Sequence, residues 1–121
     1  MQKLRATVCA GALMALVGGV AIPSLGVAAD AATLEEGRKI AEDRTKGNCL
    51  ACHVMGKGQS PGDLGPPLVA MSARYPDRAK LYAQIWDATQ ANPETIMPAF
   101  GKYQALSKEE IDKVVDYLLT L

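Results

Sequence analysis

Histidine is almost missing from this chain: His53 is the only one in 121 residues. Cysteine is scarce as well, with Cys9 near the start and Cys49 and Cys52 in the middle. No second Cys/His pair accompanies the central one, so a closed four-ligand zinc site lacks half its donors. Neither sign of charge is in excess, with 13 Lys and Arg against 13 Asp and Glu. No basic stripe interrupts that balance, which removes the electrostatic footprint of a nucleic-acid binder. Period-two alternation, internal repeats and low-complexity tracts are also lacking. What remains is an all-α reading with a single domain.

Against that sparse background, Cys49-Leu50-Ala51-Cys52-His53 stands out. C-x-x-C-H is the attachment signal of a c-type haem: the two thiols add to the two porphyrin vinyl groups, and the histidine follows directly as the proximal iron ligand. A redox dithiol needs no such histidine and sits in an α/β context. Half a zinc site lacks its other half. The motif therefore predicts one covalently held haem c, on Cys49 and Cys52, with His53 as an axial ligand.

The N-terminus agrees with that chemistry. Lys3 and Arg5 precede a mostly apolar run from Ala6 to Ile22, and small residues lead to Val27-Ala28-Ala29. This is the pattern of a cleaved secretory signal over residues 1–29, with Ala31 as the alternative cut. An uncleaved anchor is the competing reading, but Gly18, Gly19 and Pro23 shorten its apolar core. Removal of residues 1–29 discards Cys9, leaves no pair for a structural disulfide and shifts the net charge to −2 through loss of Lys3 and Arg5. The expected mature domain, 30–121, is exported to the periplasm without a membrane span. A chain of about 92 residues buries only about 60–65% of its unfolded surface. A large apolar cofactor supplies the missing core.

Along the mature chain, residues 30–48 read as a first helix closed by Gly47-Asn48, with Gly37 inside it as either a point of close helix approach or a tolerated surface residue. Residues 54–76, rich in Gly and Pro, read as loop with at most a short helix near Val69–Ala73. Asp77–Thr89 reads as a middle helix bearing Leu81, Ile85 and Ala88 on one face, with Tyr82 and Trp86 as packing residues. The last helix is the clearest. Ser107 and Glu110 form a capping box, Leu106 and Ile111 a hydrophobic staple, and Ile111, Val114, Val115 and Leu118 one buried stripe. Asp112, Lys113 and Asp116 fall on its solvated side, and Tyr117 lies where it can pack beside Gly37.

A haem iron in a small electron carrier usually takes a sixth ligand. Met97, in Ile96-Met97-Pro98-Ala99-Phe100-Gly101, stands in a proline-bounded loop 44 residues after His53. A thioether favours ferrous iron and suits electron transfer. Met55 is too near His53 in sequence to reach around the porphyrin. Met71 is an alternative without the proline frame, and an open sixth position, as in a haem enzyme or gas sensor, is another. Pro66, in Gly65-Pro66-Pro67-Leu68, is placed to offer its carbonyl to the second ring nitrogen of His53. Arg74, Arg78 and Lys80 are candidates for haem propionates or a partner surface. No catalytic residue is apparent.

These features together resemble a class I cytochrome c over the whole mature length. A narrower resemblance, to the SoxX family, rests on Gly47–His53, Gly62-Asp63-Leu64-Gly65-Pro66-Pro67-Leu68, Tyr75-Pro76-Asp77-Arg78, Gln84-Ile85-Trp86-Asp87 and Asn92-Pro93-Glu94-Thr95-Ile96-Met97-Pro98. Ala99 departs from it, standing where a second proline is expected. The class I resemblance implies first and last helices packed on each other and a Pro66 carbonyl bonded to the proximal histidine. The SoxX resemblance implies an electron-relay subunit, with His53 and Met97 as iron ligands, in a heterodimer with a SoxA-like cytochrome. That complex, an L-cysteine S-thiosulfotransferase, couples thiosulfate to a cysteine of the SoxYZ carrier, and SoxX passes the electrons to an acceptor cytochrome c. A free-standing monohaem carrier is the alternative.

Overall fold

The computed structural model describes residues 29–121. The expected signal segment, Cys9 included, lies outside them except for Ala29. Among the described residues there are four helices, α1 (Ala31–Glu42), α2 (Met71–Arg74), α3 (Arg78–Trp86) and α4 (Lys108–Leu118), with short 3-10 turns at Cys49–Ala51 and Ala88–Gln90. Among the described residues the only β feature is an isolated parallel bridge between Met55 and Leu68. No helix there is long and apolar enough to cross a membrane.

Helix α4 follows directly from its sequence. The Ser107 hydroxyl accepts from the Glu110 N–H at 3.1 Å, and the Glu110 carboxylate accepts from the Ser107 N–H at 2.9 Å, so two otherwise orphaned donors are satisfied. Ile111, Val114 and Val115 are fully buried, as is Leu106 just before the cap. Asp112 and Asp116 on the outer side are not merely solvated. Arg78 at the start of α3 donates to both, at 2.9 Å to Asp112 and 2.8 Å to Asp116, and clips α3 to α4.

Helix α1 crosses α4 at Gly37. A Cβ on that residue would stand 2.0 Å from the Lys113 carbonyl oxygen and 3.0 Å from Cβ of Tyr117. The obstacle is mainly backbone, which cannot step aside, so the contact needs glycine. Lys113 to Glu36 (2.5 Å) ties the two helices further at the surface, and Lys46, in the turn after α1, pairs with Glu110 on α4. These exposed pairs contribute little individually. The apolar seam carries the association.

Two helices are shorter than the periodicity predicts, for one reason. α1 stops at Glu42 rather than 48, because the Asp43 carboxylate accepts from the N–H and hydroxyl of Thr45, both at 2.7 Å, and turns the chain. α3 stops at Trp86 rather than Thr89, because the Asp87 carboxylate takes the N–H and hydroxyl of Thr89 and starts a separate turn. Short acidic side chains offer the backbone an alternative to continuing the helix. Asp30 uses the same chemistry to begin α1, accepting from the Thr33 N–H at 2.7 Å.

Candidate haem site

The thiol–imidazole segment is a tight turn. His53 N–H donates to the Cys49 carbonyl at 2.9 Å, one helical turn back, which brings Cys49 and His53 to the same side. The following loop is strapped onto it: Gly62 N–H donates to the Leu50 carbonyl and Gly65 N–H to the Cys52 carbonyl, each at 2.8 Å. A Cβ at Gly65 would lie 2.3 Å from Cε1 of His53, so the loop backbone lies flat against the imidazole only because residue 65 is glycine. Nδ1 of His53 is 2.7 Å from the Pro66 carbonyl. A carbonyl can only accept, so Nδ1 carries the proton and the Nε2 lone pair is left for another partner. The Arg74 guanidinium donates to the neighbouring Pro67 carbonyl at 2.7 Å and braces the proline pair.

A cavity of about 480 Å³ opens beside this turn. Cys49, Cys52, His53, Pro66 and Met97 all line it. Its depth is walled by core residues, among them Met71, Leu81, Ile85, Leu106, Val114 and Leu118. Well-packed interiors hold few voids larger than a water molecule, so an apolar space of this size among core side chains is a ligand site. Leu64 and Ile96, 68% and 73% exposed, stand at its rim.

Met97 is held less directly. Its N–H donates to the Thr95 hydroxyl at 3.2 Å, and its Sδ lies 3.8 Å from Nε2 of Gln84 on α3. Met71 also lines the cavity but is core, 1% exposed, with its sulfur 3.5 Å from the Arg74 guanidinium. Met55 is buried and does not line the cavity. Of the basic candidates, Arg74 lines the cavity and Lys80 does not. Arg78 is not at the cavity either, being engaged by the two α4 carboxylates. Arg44 and Lys46 do line it. From sequence both fall at the end of the helix expected over 30–48; the turn that begins at Asp43 is what brings them to the cavity. Gln84 was visible in the sequence only as part of a resemblance block, and Ala99 is buried at 3% exposure.

Burial pushes the Cys49 thiol up to about 11. A disulfide-exchanging C-x-x-C needs the opposite, a lowered thiol pKa that supplies thiolate at neutral pH. No group of three or more His, Cys, Asp or Glu side chains gathers as a metal cluster among the described residues. Both observations weigh against the dithiol and zinc readings.

A small helical fold with C-x-x-C-H on the wall of an apolar cavity is that of a c-type cytochrome. The family model described as "Cytochrome C oxidase, cbb3-type, subunit III" matches residues 32–118, and the chain belongs to that cytochrome c family. Within it the chain is SoxX-like: it is similar to a chain of the crystal structure of SoxXA from P. pantotrophus, at 29% identity and a TM-score of 0.64, covering 71% of this chain and 79% of that one. No curated protein matches. The family implies a haem c, and the residues fit one: two thiols and an imidazole on the cavity wall, the imidazole tied through Nδ1 to the Pro66 carbonyl, and apolar walls around a ligand-sized space.

Proposed function

We propose that the mature protein is a monohaem electron-relay subunit of a SoxAX-type complex, exported to the periplasm and paired with a SoxA-like cytochrome. Cys49 and Cys52 would hold one haem covalently, and His53 and Met97 would supply the two ligands to its iron. When bound, the haem iron supplies one-electron storage at a potential raised by thioether ligation. The protein's own residues orient and enclose it. Pro66 fixes the imidazole tautomer, the loop at Gly65 holds the ring plane, and the α3 and α4 side chains keep water from the interior. No side chain acts as acid, base or nucleophile. In the complex, the outer sulfur of thiosulfate and a carrier cysteine form an S–S bond on the partner's side, with loss of the thiol proton and two electrons. The present chain receives those electrons singly and passes them to an acceptor cytochrome c.

The observation that carries this reading is the single apolar cavity that both halves of the ligand set line, one from the C-x-x-C-H turn and one from the Met97 loop. The exposed Leu64 and Ile96 at its rim support a protein partner there, because apolar side chains grouped around a site mark interaction surfaces. Asp30, the cap of α1, falls one residue past the expected cut after Ala29, which supports export with cleavage.

The test is affinity purification of the tagged protein from the periplasm of thiosulfate-grown cells, with the mass of everything retained. A SoxA-like haem protein in equal amount, and a chain beginning near Asp30 with one haem added, is the expected result. A lone haem protein with no partner would instead identify a free-standing carrier.

A further inference from the structure

The segment that carries Met97 leaves and re-enters the fold at one point. It starts at Asp87, directly after α3, and returns at Gly101 and Lys102, whose N–H groups both donate to the Trp86 carbonyl at 3.1 Å. Gly101 lies so close to the Trp86 ring that a Cβ there would stand 2.1 Å from Cε3. Asp87 sits at this neck and is the one buried charged residue among the described residues, at 6% exposure. Its carboxylate accepts from the Thr89 hydroxyl at 2.5 Å, the Thr89 N–H at 3.2 Å and Nε2 of Gln90 at 3.0 Å. Lys102 reaches it from the other strand of the neck at 3.1 Å.

A buried carboxylate is costly unless paired and hydrogen-bonded, and losing one partner of such a pair costs more than the pair itself stabilises. This one lines no part of the cavity and touches neither His53 nor Met97. Its bonds to Thr89 and Gln90 cap the 88–90 turn where the loop leaves α3, and its ion pair with Lys102 joins that turn to the loop's returning end. The loop needs that from its ends, since the Met97 sulfur is a weak acceptor with a single long contact to Gln84.

We propose that Asp87 is a positioning residue for the sixth ligand: through Lys102 it closes the neck of the 87–102 segment, holds Met97 in place and keeps the sixth position shut to small molecules from solvent. The proposal rests on Met97 being that ligand. A merely structural Asp87, capping the 88–90 turn, would affect stability and nothing at the iron.

The experiment uses the haem-loaded mature protein, wild type beside Asp87→Asn, Lys102→Met and Met97→Ala. The readouts are the affinity of the ferric protein for imidazole, the sulfur-to-iron charge-transfer band, and the urea unfolding midpoint. If Asp87→Asn opens the loop, imidazole affinity rises in proportion to the open fraction, expected at about fivefold, and the sulfur band weakens. Lys102→Met, at a half-exposed surface position, gives a similar rise and carries the test if Asp87→Asn loads haem poorly. Imidazole affinity within about twofold of wild type in both variants, with the band intact, overturns the proposal even if the unfolding midpoint falls. Met97→Ala separates the two layers. If it leaves the band and the imidazole affinity as in wild type, the ligand assignment has failed and the latch with it. If it alone changes them, only the latch is wrong.

Discussion

The two sides of the haem cavity are held in opposite ways. His53 is fixed by its own neighbourhood: Cys49, four residues before it, accepts its N–H, and Gly65 and Pro66, within 13 residues, set its ring plane and proton. Met97 is fixed from a distance, by Gln84 on α3 and by a neck that joins residues 86 and 87 to 101 and 102. The difference follows from the side chains. An imidazole has a second nitrogen by which a loop can grip it, whereas a thioether has nothing except the sulfur itself. A methionine ligand therefore depends on the tension of its loop. The imidazole side should respond to substitution as packing, and the thioether side as loop closure.

The largest expected effect breaks the imidazole side. In Gly65→Ala the new Cβ meets the His53 ring at 2.3 Å. The ring or the loop must shift, and the 2.7 Å bond to Pro66 is lost with it. Overpacking together with that bond is worth about 2–3 kcal/mol of stability in the haem-loaded protein. Urea unfolding of wild type against Gly65→Ala checks it. A loss below about 0.5 kcal/mol would show that the loop is not gripping the ring as described.

The same contrast explains what sequence reading found and missed. C-x-x-C-H, the Ser107–Glu110 capping box and the Ile111–Leu118 stripe are local signals, each complete within a turn or two of chain, and all were legible. The Gly37 crossing was legible through the resemblance to class I cytochromes c, which implies first and last helices packed on each other; the glycine alone fits a surface position equally well. The ion pairs of Arg78, one of three basic candidates for propionates or a partner surface, were not legible, because Asp112 and Asp116 lie 34 and 38 residues away with no periodicity to connect them. The neck at Asp87 was missed for the same reason. Its local half, Asp87 followed two residues later by Thr89, is an Asx-type turn signal, and reading it would have ended the middle helix at Trp86.

Acid sharpens the comparison further. The Asp87 carboxyl is held at about 2 against an ordinary 3.8, chiefly by the Thr89 hydroxyl, with Lys102 and Gln90 adding to it and burial opposing. A carboxyl lowered on folding adds stability above its unfolded pKa and loses that contribution as pH falls through its folded one. The difference in unfolding midpoint between wild type and Asp87→Asn should therefore be full above about pH 4 and shrink toward zero near about pH 2. The difference between wild type and Gly65→Ala involves no carboxylate and should stay constant over that range. Parallel urea titrations decide the matter, and a pH-independent gap for Asp87→Asn would mean its charge is not what holds the neck.

The smallest effect concerns the one direct contact to the thioether. The Gln84 amide N–H points at the Met97 sulfur from 3.8 Å, long even for a sulfur acceptor. With Met97 as the proposed iron ligand, such a donor draws electron density from the sulfur, makes it a poorer donor to ferric iron, and so favours the reduced state. Gln84→Asn keeps the polarity of the site but withdraws the amide by one methylene, breaking the contact. The sulfur then donates more strongly and the midpoint potential falls. A weak contact of about 0.5 kcal/mol sets the ceiling, which for one electron is about 20 mV. Stability should be nearly unchanged, because Gln84 remains half-exposed and the neck is intact. A potential that stays the same or rises in Gln84→Asn would show that the amide does not act on the sulfur. The loop ends, with the Thr95 hydroxyl that accepts the Met97 N–H, would then be what positions Met97.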